Sequence, residues 1–130
     1  MPHFIVEHSA NLSKSHDMQE LADRISDVTD KTGIFPLAGI RVRMHPIETY
    51  AMADGHAENA FIAVIMRIGA GRDLEIRRRG GQVVYDLLCN TFADEIQQGY
   101  MAVSVDIEIN DPEMTFKRNG VAARLKRESN

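Results

Sequence analysis

Seven consecutive apolar residues, Ala60-Phe61-Ile62-Ala63-Val64-Ile65-Met66, constrain this chain more than any other stretch. A strand points successive side chains to opposite faces, so an unbroken apolar run reads as a central strand covered on both sides. The segments around it repeat one order. Residues 3–8 read as a strand, 17–32 as a helix and 39–46 as a second strand. In the helix Met18, Leu21, Ile25 and Val28 recur at spacings of three and four. Asp17 with Glu20 resembles a capping box, and Gly33 is a C-terminal stop. In the second strand Ile40, Val42 and Met44 alternate with Arg41, Arg43 and His45. A short hairpin arm is expected at Tyr50 to Ala53.

After the apolar run, the turn Gly69-Ala70-Gly71 leads into a helix expected from about Asp73 to Gln98, with Ile76, Val83, Leu87 and Phe92 facing inward. Gly80 and Gly81 would weaken that helix by about 1 kcal/mol each, which points to a close approach by a neighbouring element. Glu75 and Arg79 are spaced for an i,i+4 ion pair. Residues 102–109 alternate again and read as a strand. The remainder, from Asp111, reads as a polar loop with Phe116 as its one large aromatic residue. The expectation is one α/β domain over 1–130, with pseudo-repeat halves of about 2–57 and 58–121. Each half is a β-α-β unit, and the two form a four-stranded sheet with both helices on one face. The other sheet face then needs cover, and another subunit is the simplest one.

A length of 130 residues suits one domain, and 44 % apolar content with no long apolar run predicts no membrane span. No signal-peptide layout opens the chain, so the cytoplasm is the expected location. One cysteine, Cys89, excludes an intrachain disulfide framework. His8, His45 and His56 lack metal-ligand spacing, so no metal or other cofactor is expected. A net charge of −4 argues against a nucleic-acid partner. The basic residues cluster, however, at Arg41/Arg43, Arg72/Arg77–Arg79 and Lys117 through Arg127, which suits small anionic ligands.

Pro2 follows Met1 directly and opens the first strand. Removal of Met1 would leave a secondary amine with a free lone pair on a rigid ring. Burial and nearby arginines both disfavour the charged ammonium, so such an amine becomes a base near neutral pH. The bland alternative is a proline starting an edge strand.

Pro2-His3-Phe4-Ile5-Val6-Glu7, Gly33 through Arg41, Met52-Ala53-Asp54-Gly55 and Ile68-Gly69-Ala70-Gly71-Arg72 resemble the 5-carboxymethyl-2-hydroxymuconate Δ-isomerase family of the tautomerase superfamily. The resemblance runs from Pro2 to about Val121. It implies a metal-free homotrimer acting in homoprotocatechuate breakdown. The reaction implied converts 5-carboxymethyl-2-hydroxymuconate to 5-carboxy-2-oxohept-3-enedioate. By position, it makes Pro2 the proton-shuttling base and has Arg41 and Arg72 bind and polarise the substrate. It leaves open which residue meets the remote carboxylate. The alternatives are another tautomerase activity on an unsaturated acid, or a non-catalytic trimeric carboxylate binder.

Arginine forks pair bidentately with carboxylates, which gives Arg41 and Arg72 an independent rationale. Arg72 also precedes a helix, whose N-terminal amides favour anions. Arg43 shares the face of Arg41 and is a weaker binding candidate, because alternating charges usually form a solvated face. His3 either lines the site beside Pro2 or makes a structural polar contact. Phe116 is a candidate apolar wall.

Overall fold

The computed structural model describes every residue from Met1 to Asn130. Four strands form one sheet: β1 (His3–Ser9), β2 (Arg41–Ile47), β3 (Ala60–Ile68) and β4 (Met101–Ile109). Their order is β2-β1-β3-β4. β1 pairs parallel with β2, and β3 parallel with β4. The two halves join where β1 meets β3 antiparallel. This is the doubled β-α-β arrangement expected, with α1 (Met18–Lys31) crossing from β1 to β2 and α2 (Leu74–Thr91) beginning the crossover from β3 to β4. No helix is long and apolar enough to cross a membrane.

Strand parity decides what is buried. Phe4 and Val6 of β1 and Ile62, Val64, Met66 and Ile68 of β3 are almost fully buried. They pack against Leu21 and Ile25 of α1 and Val84, Leu87 and Leu88 of α2. Both long helices therefore lie on one face. The opposite parity of β1 and β3 carries Ile5, Phe61 and Ile65, which stay half-buried and lie outside this core. Tyr50 meets Phe61 edge-on at 5.3 Å, but no helix covers that face.

The glycine pair in α2 has the role its position suggested. A Cβ on Gly80 would lie 3.2 Å from Met66 Cε and 3.3 Å from the Phe35 ring. One on Gly81 would lie 2.7 Å from Ile107 Cδ1. Gly81→Val is therefore expected to destabilise the chain by about 1–3 kcal/mol, the usual cost of overpacking. A fall in the urea midpoint at unchanged slope is the check.

Several local expectations do not hold. The helix expected over 73–98 is broken at buried Phe92 (φ −107°, ψ 25°), and a short α3 (Ala93–Gln97) follows. Of the residues expected to face inward, Leu87 and Phe92 are buried and Val83 packs against the core, but Ile76, in the first turn of α2, stays 37 % exposed; Gly80, Gly81, Val84 and Leu88 complete the buried stripe. Glu75 and Arg79 form no ion pair; Arg77 Nε donates to the Asp73 carbonyl at 3.2 Å. Residues 50–53 form no strand and belong to an irregular connection in which Ala53 and Gly55 take positive φ.

β2 begins two residues later than expected. The Gly39 and Ile40 amides are used in a 3-10 turn, bonding to the Pro36 and Leu37 carbonyls. The tail is also not all loop, because α4 spans Gly120–Glu128. Asn119 caps it, with its side-chain oxygen accepting from the Val121 and Ala122 amides. This helix packs against the turn Leu37–Gly39.

Candidate functional site

The parallel ladder between β1 and β2 brings the start of the chain to Arg41. The Arg41 amide donates to the Pro2 carbonyl at 3.1 Å, and Pro2 is buried. Register places His3 beside Arg41 on the face away from the helices. Gly39 supports the junction from below. A Cβ there would come within 3.1 Å of Met1 Cα and 3.5 Å of Pro2 Cδ.

The tail closes the other side. Asn119 Nδ2 donates to the Ala38 carbonyl at 3.0 Å, which ties the start of α4 to the turn before β2. The Met1 thioether lies between two donors, 3.2 Å from Arg41 Nη1 and 3.7 Å from Asn119 Nδ2. Arg41 Nη1 also donates to the Gly39 carbonyl at 3.0 Å. The result is a cavity of about 480 Å³, bounded by Met1, His3, Arg41, Phe116, Lys117 and Arg118 among others, with no Asp or Glu in its wall.

This environment acts on the terminal amine, which belongs to Met1. Burial lowers its pKa below the ordinary value, and the charges of Lys117, Arg72 and Arg41 lower it further, in that order. His3 is pushed the same way, first by burial and then by Arg43, Arg41, the terminal amine and Arg67. Arg43 Nη1 meets His3 Nδ1 at 3.0 Å. Arginine can only donate, so Nδ1 carries the lone pair and His3 is neutral in this contact.

The candidates named from sequence are thus placed unequally. Pro2, His3, Arg41 and Phe116 come together at one end of the sheet, with Phe116 95 % exposed at the cavity lip. His3 bounds the cavity and also contacts Arg43. Arg43 itself is exposed and stands outside the cavity wall, reaching it only through His3. Arg72 also lies outside that wall. Its guanidinium carbon sits 4.5 Å from the centre of the Phe35 ring, and Nη2 lies 3.5 Å from the Ile34 carbonyl. Its charge nevertheless reaches the amine. The α2 N-terminus beside it is occupied, because the Asp73 carboxylate accepts from the Ile76 amide at 2.9 Å.

Sequence reasoning missed Lys117, Arg118 and Asn119 as parts of this region. The basic run from Lys117 was visible, but nothing local indicated that it folds back over the chain start. No group of three or more His, Cys, Asp or Glu side chains is arranged to hold a metal ion.

Comparisons with known proteins agree with this architecture. The family described as 5-carboxymethyl-2-hydroxymuconate isomerase matches residues 2–125. The 5-carboxymethyl-2-hydroxymuconate Delta-isomerase of Escherichia coli is 41 % identical over 126 residues, covering 97 % of this chain and all of that one. The crystal structure of a 5-carboxymethyl-2-hydroxymuconate isomerase from Deinococcus radiodurans R1 superposes with a TM-score of 0.87 at 32 % identity, covering 95 % and 93 % of the two chains. A fused 4-OT, described as a wild-type symmetric trimer, shares the fold at a TM-score of 0.68 and 17 % identity, over 89 % and 93 % of the chains. A family match across nearly the whole chain, two relatives above 30 % identity and the same doubled β-α-β sheet lead to one assignment: this chain belongs to the 5-carboxymethyl-2-hydroxymuconate isomerase family and is an isomerase with the tautomerase fold.

Proposed function

We propose that the chain converts 5-carboxymethyl-2-hydroxymuconate to 5-carboxy-2-oxohept-3-enedioate, the step of homoprotocatechuate breakdown, with Pro2 as the base once Met1 is removed. The observation that carries this reading is the position of the chain start, in a cation-lined cavity that lowers the pKa of the Met1 amine and would surround the Pro2 amine once Met1 is gone. The Pro2 nitrogen takes the proton of the substrate's 2-hydroxyl. As the C2 carbonyl forms, the double bonds at C2–C3 and C4–C5 become one at C3–C4. Pro2 returns the proton to C5, so the reaction needs no outside acid or oxidant. One base must face both atoms, and a ring nitrogen at a strand tip can do so.

Arg41 and Arg72 bind the 2-oxo acid end and stabilise negative charge as it develops on O2. Arg41 has a donor already directed at the position taken by the Met1 thioether, 3.2 Å away. His3, neutral against Arg43, and Phe116 at the lip shape the remaining wall. The direct test is conversion of the muconate, followed by loss of its absorbance, using protein whose mature N-terminus is verified by intact mass. No turnover under those conditions would overturn the reading.

The same proposal includes a homotrimer. Its support is the uncovered apolar parity of β1 and β3 and the trimeric relative with this fold. Light scattering is expected to give three times the chain mass. A stable monomer at micromolar concentration would contradict it.

A further inference from the structure

The cavity holds more positive charge than the proposed chemistry has used. Lys117 has a particular place among these cations. It bounds the main cavity together with Met1, and it also bounds a second hollow on the other side of Met1, formed with Pro36, Gly39 and Asn119. It therefore stands beside the chain start rather than at the outer rim. Its ammonium is exposed and takes no part in any of the ion pairs of the chain. Its backbone is held in place, because Asn119 two residues later is bonded to Ala38 and caps α4.

A substrate with three carboxylates leaves two of them, at C6 and on the carboxymethyl arm, beyond the 2-oxo acid end held by Arg41 and Arg72. An unpaired ammonium facing a cavity without a carboxylate is suited to such a group. We propose that Lys117 determines specificity by receiving the carboxymethyl carboxylate of the substrate. This inference rests on the isomerase reaction proposed above. Lys117 is also the first of the charges acting on the terminal amine, followed by Arg72 and Arg41, with His3 beside them and no carboxylate among them. Acting on the Pro2 amine as it does on that of Met1, the same side chain would couple recognition of the carboxymethyl carboxylate to the basicity of the nitrogen.

The test uses the full chain with Met1 removed, in wild type, Lys117→Met, Lys117→Arg and Lys126→Met. Two substrates are compared: the muconate itself, and the analogue in which hydrogen replaces the carboxymethyl group. Lys117→Met is expected to lower kcat/KM for the full substrate by about 10-fold or more, chiefly through KM, the scale of one lost bond to a charged group. On the analogue, at a pH where the amine is fully deprotonated, the change should stay within about 3-fold. Lys117→Arg should recover most of the loss, because it keeps the charge. Lys126→Met removes one charge from α4, which follows Lys117 in the tail, and should leave both substrates unaffected. Removing the Lys117 cation should also move the ascending limb of the pH profile upward for both substrates. An equal loss on both substrates at that pH, or no loss on either, would overturn the assignment of Lys117. Failure of wild-type protein to turn over either substrate would instead remove the reaction, and this inference with it.

Discussion

Protein that keeps Met1 on every chain is expected to have no isomerase activity while remaining folded. With Met1 attached, the Pro2 nitrogen is a tertiary amide whose lone pair is delocalised and accepts no proton usefully. The Met1 side chain would also occupy the place of a ligand, since its thioether takes a donor from Arg41. Pro2→Ala is expected to be milder, because a primary amine remains but is more mobile and less well directed. In active protein, kcat/KM should rise with pH through the pKa of the Pro2 ammonium in the free enzyme. Burial, Lys117, Arg72 and Arg41 lower the pKa of the Met1 amine; the Pro2 amine left by removal of Met1 is expected to meet the same surroundings, which puts that limb below the pH of an ordinary proline amine. Intact mass read beside activity is the check, and full activity with Met1 retained throughout would sink the mechanism.

Arg41→Ala and Arg72→Ala are each expected to lower kcat/KM by about 10²-fold or more, the scale of one lost oxyanion donor. The two losses should differ in character. Arg41 has a donor directed at the ligand position, so its removal affects binding and charge stabilisation together. Arg72 is held by the Phe35 ring and the Ile34 carbonyl, so its planar guanidinium is part of its placement. Arg72→Lys should therefore recover little of the loss, since an ammonium cannot reproduce a stacked fork. Both alanine variants should also raise the ascending limb of the pH profile, because each removes a cation from around the amine. Arg78→Ala, on the exposed side of α2, is the control and should change little. Steady-state kinetics on folded variants settles each case, and near wild-type values would remove that arginine from the reaction.

The sequence by itself determined the sheet and its two long crossover helices, and with them the strand starts at which Pro2 and Arg41 lie. These follow from short-range physics: the apolar run of β3, the period-two alternation in β2 and β4, the helical stripe in α1 and the Asp17 cap. A parallel pair joined by one helix then places the two strand starts side by side, so the Arg41 amide reaches the Pro2 carbonyl. The tertiary structure alone decided what surrounds them. The break at Phe92 arises where its ring must be buried, and the late start of β2 where Gly39 packs under Pro2. The partnership of the tail with the chain start joins Met1 to Asn119, 118 residues apart, and brings Lys117 to the amine. Periodicity encodes which face of an element is apolar, because that depends on neighbours a few residues away. It carries no record of which distant loop closes over a strand end, because a polar tail satisfies its own local rules whether it folds back or points into water.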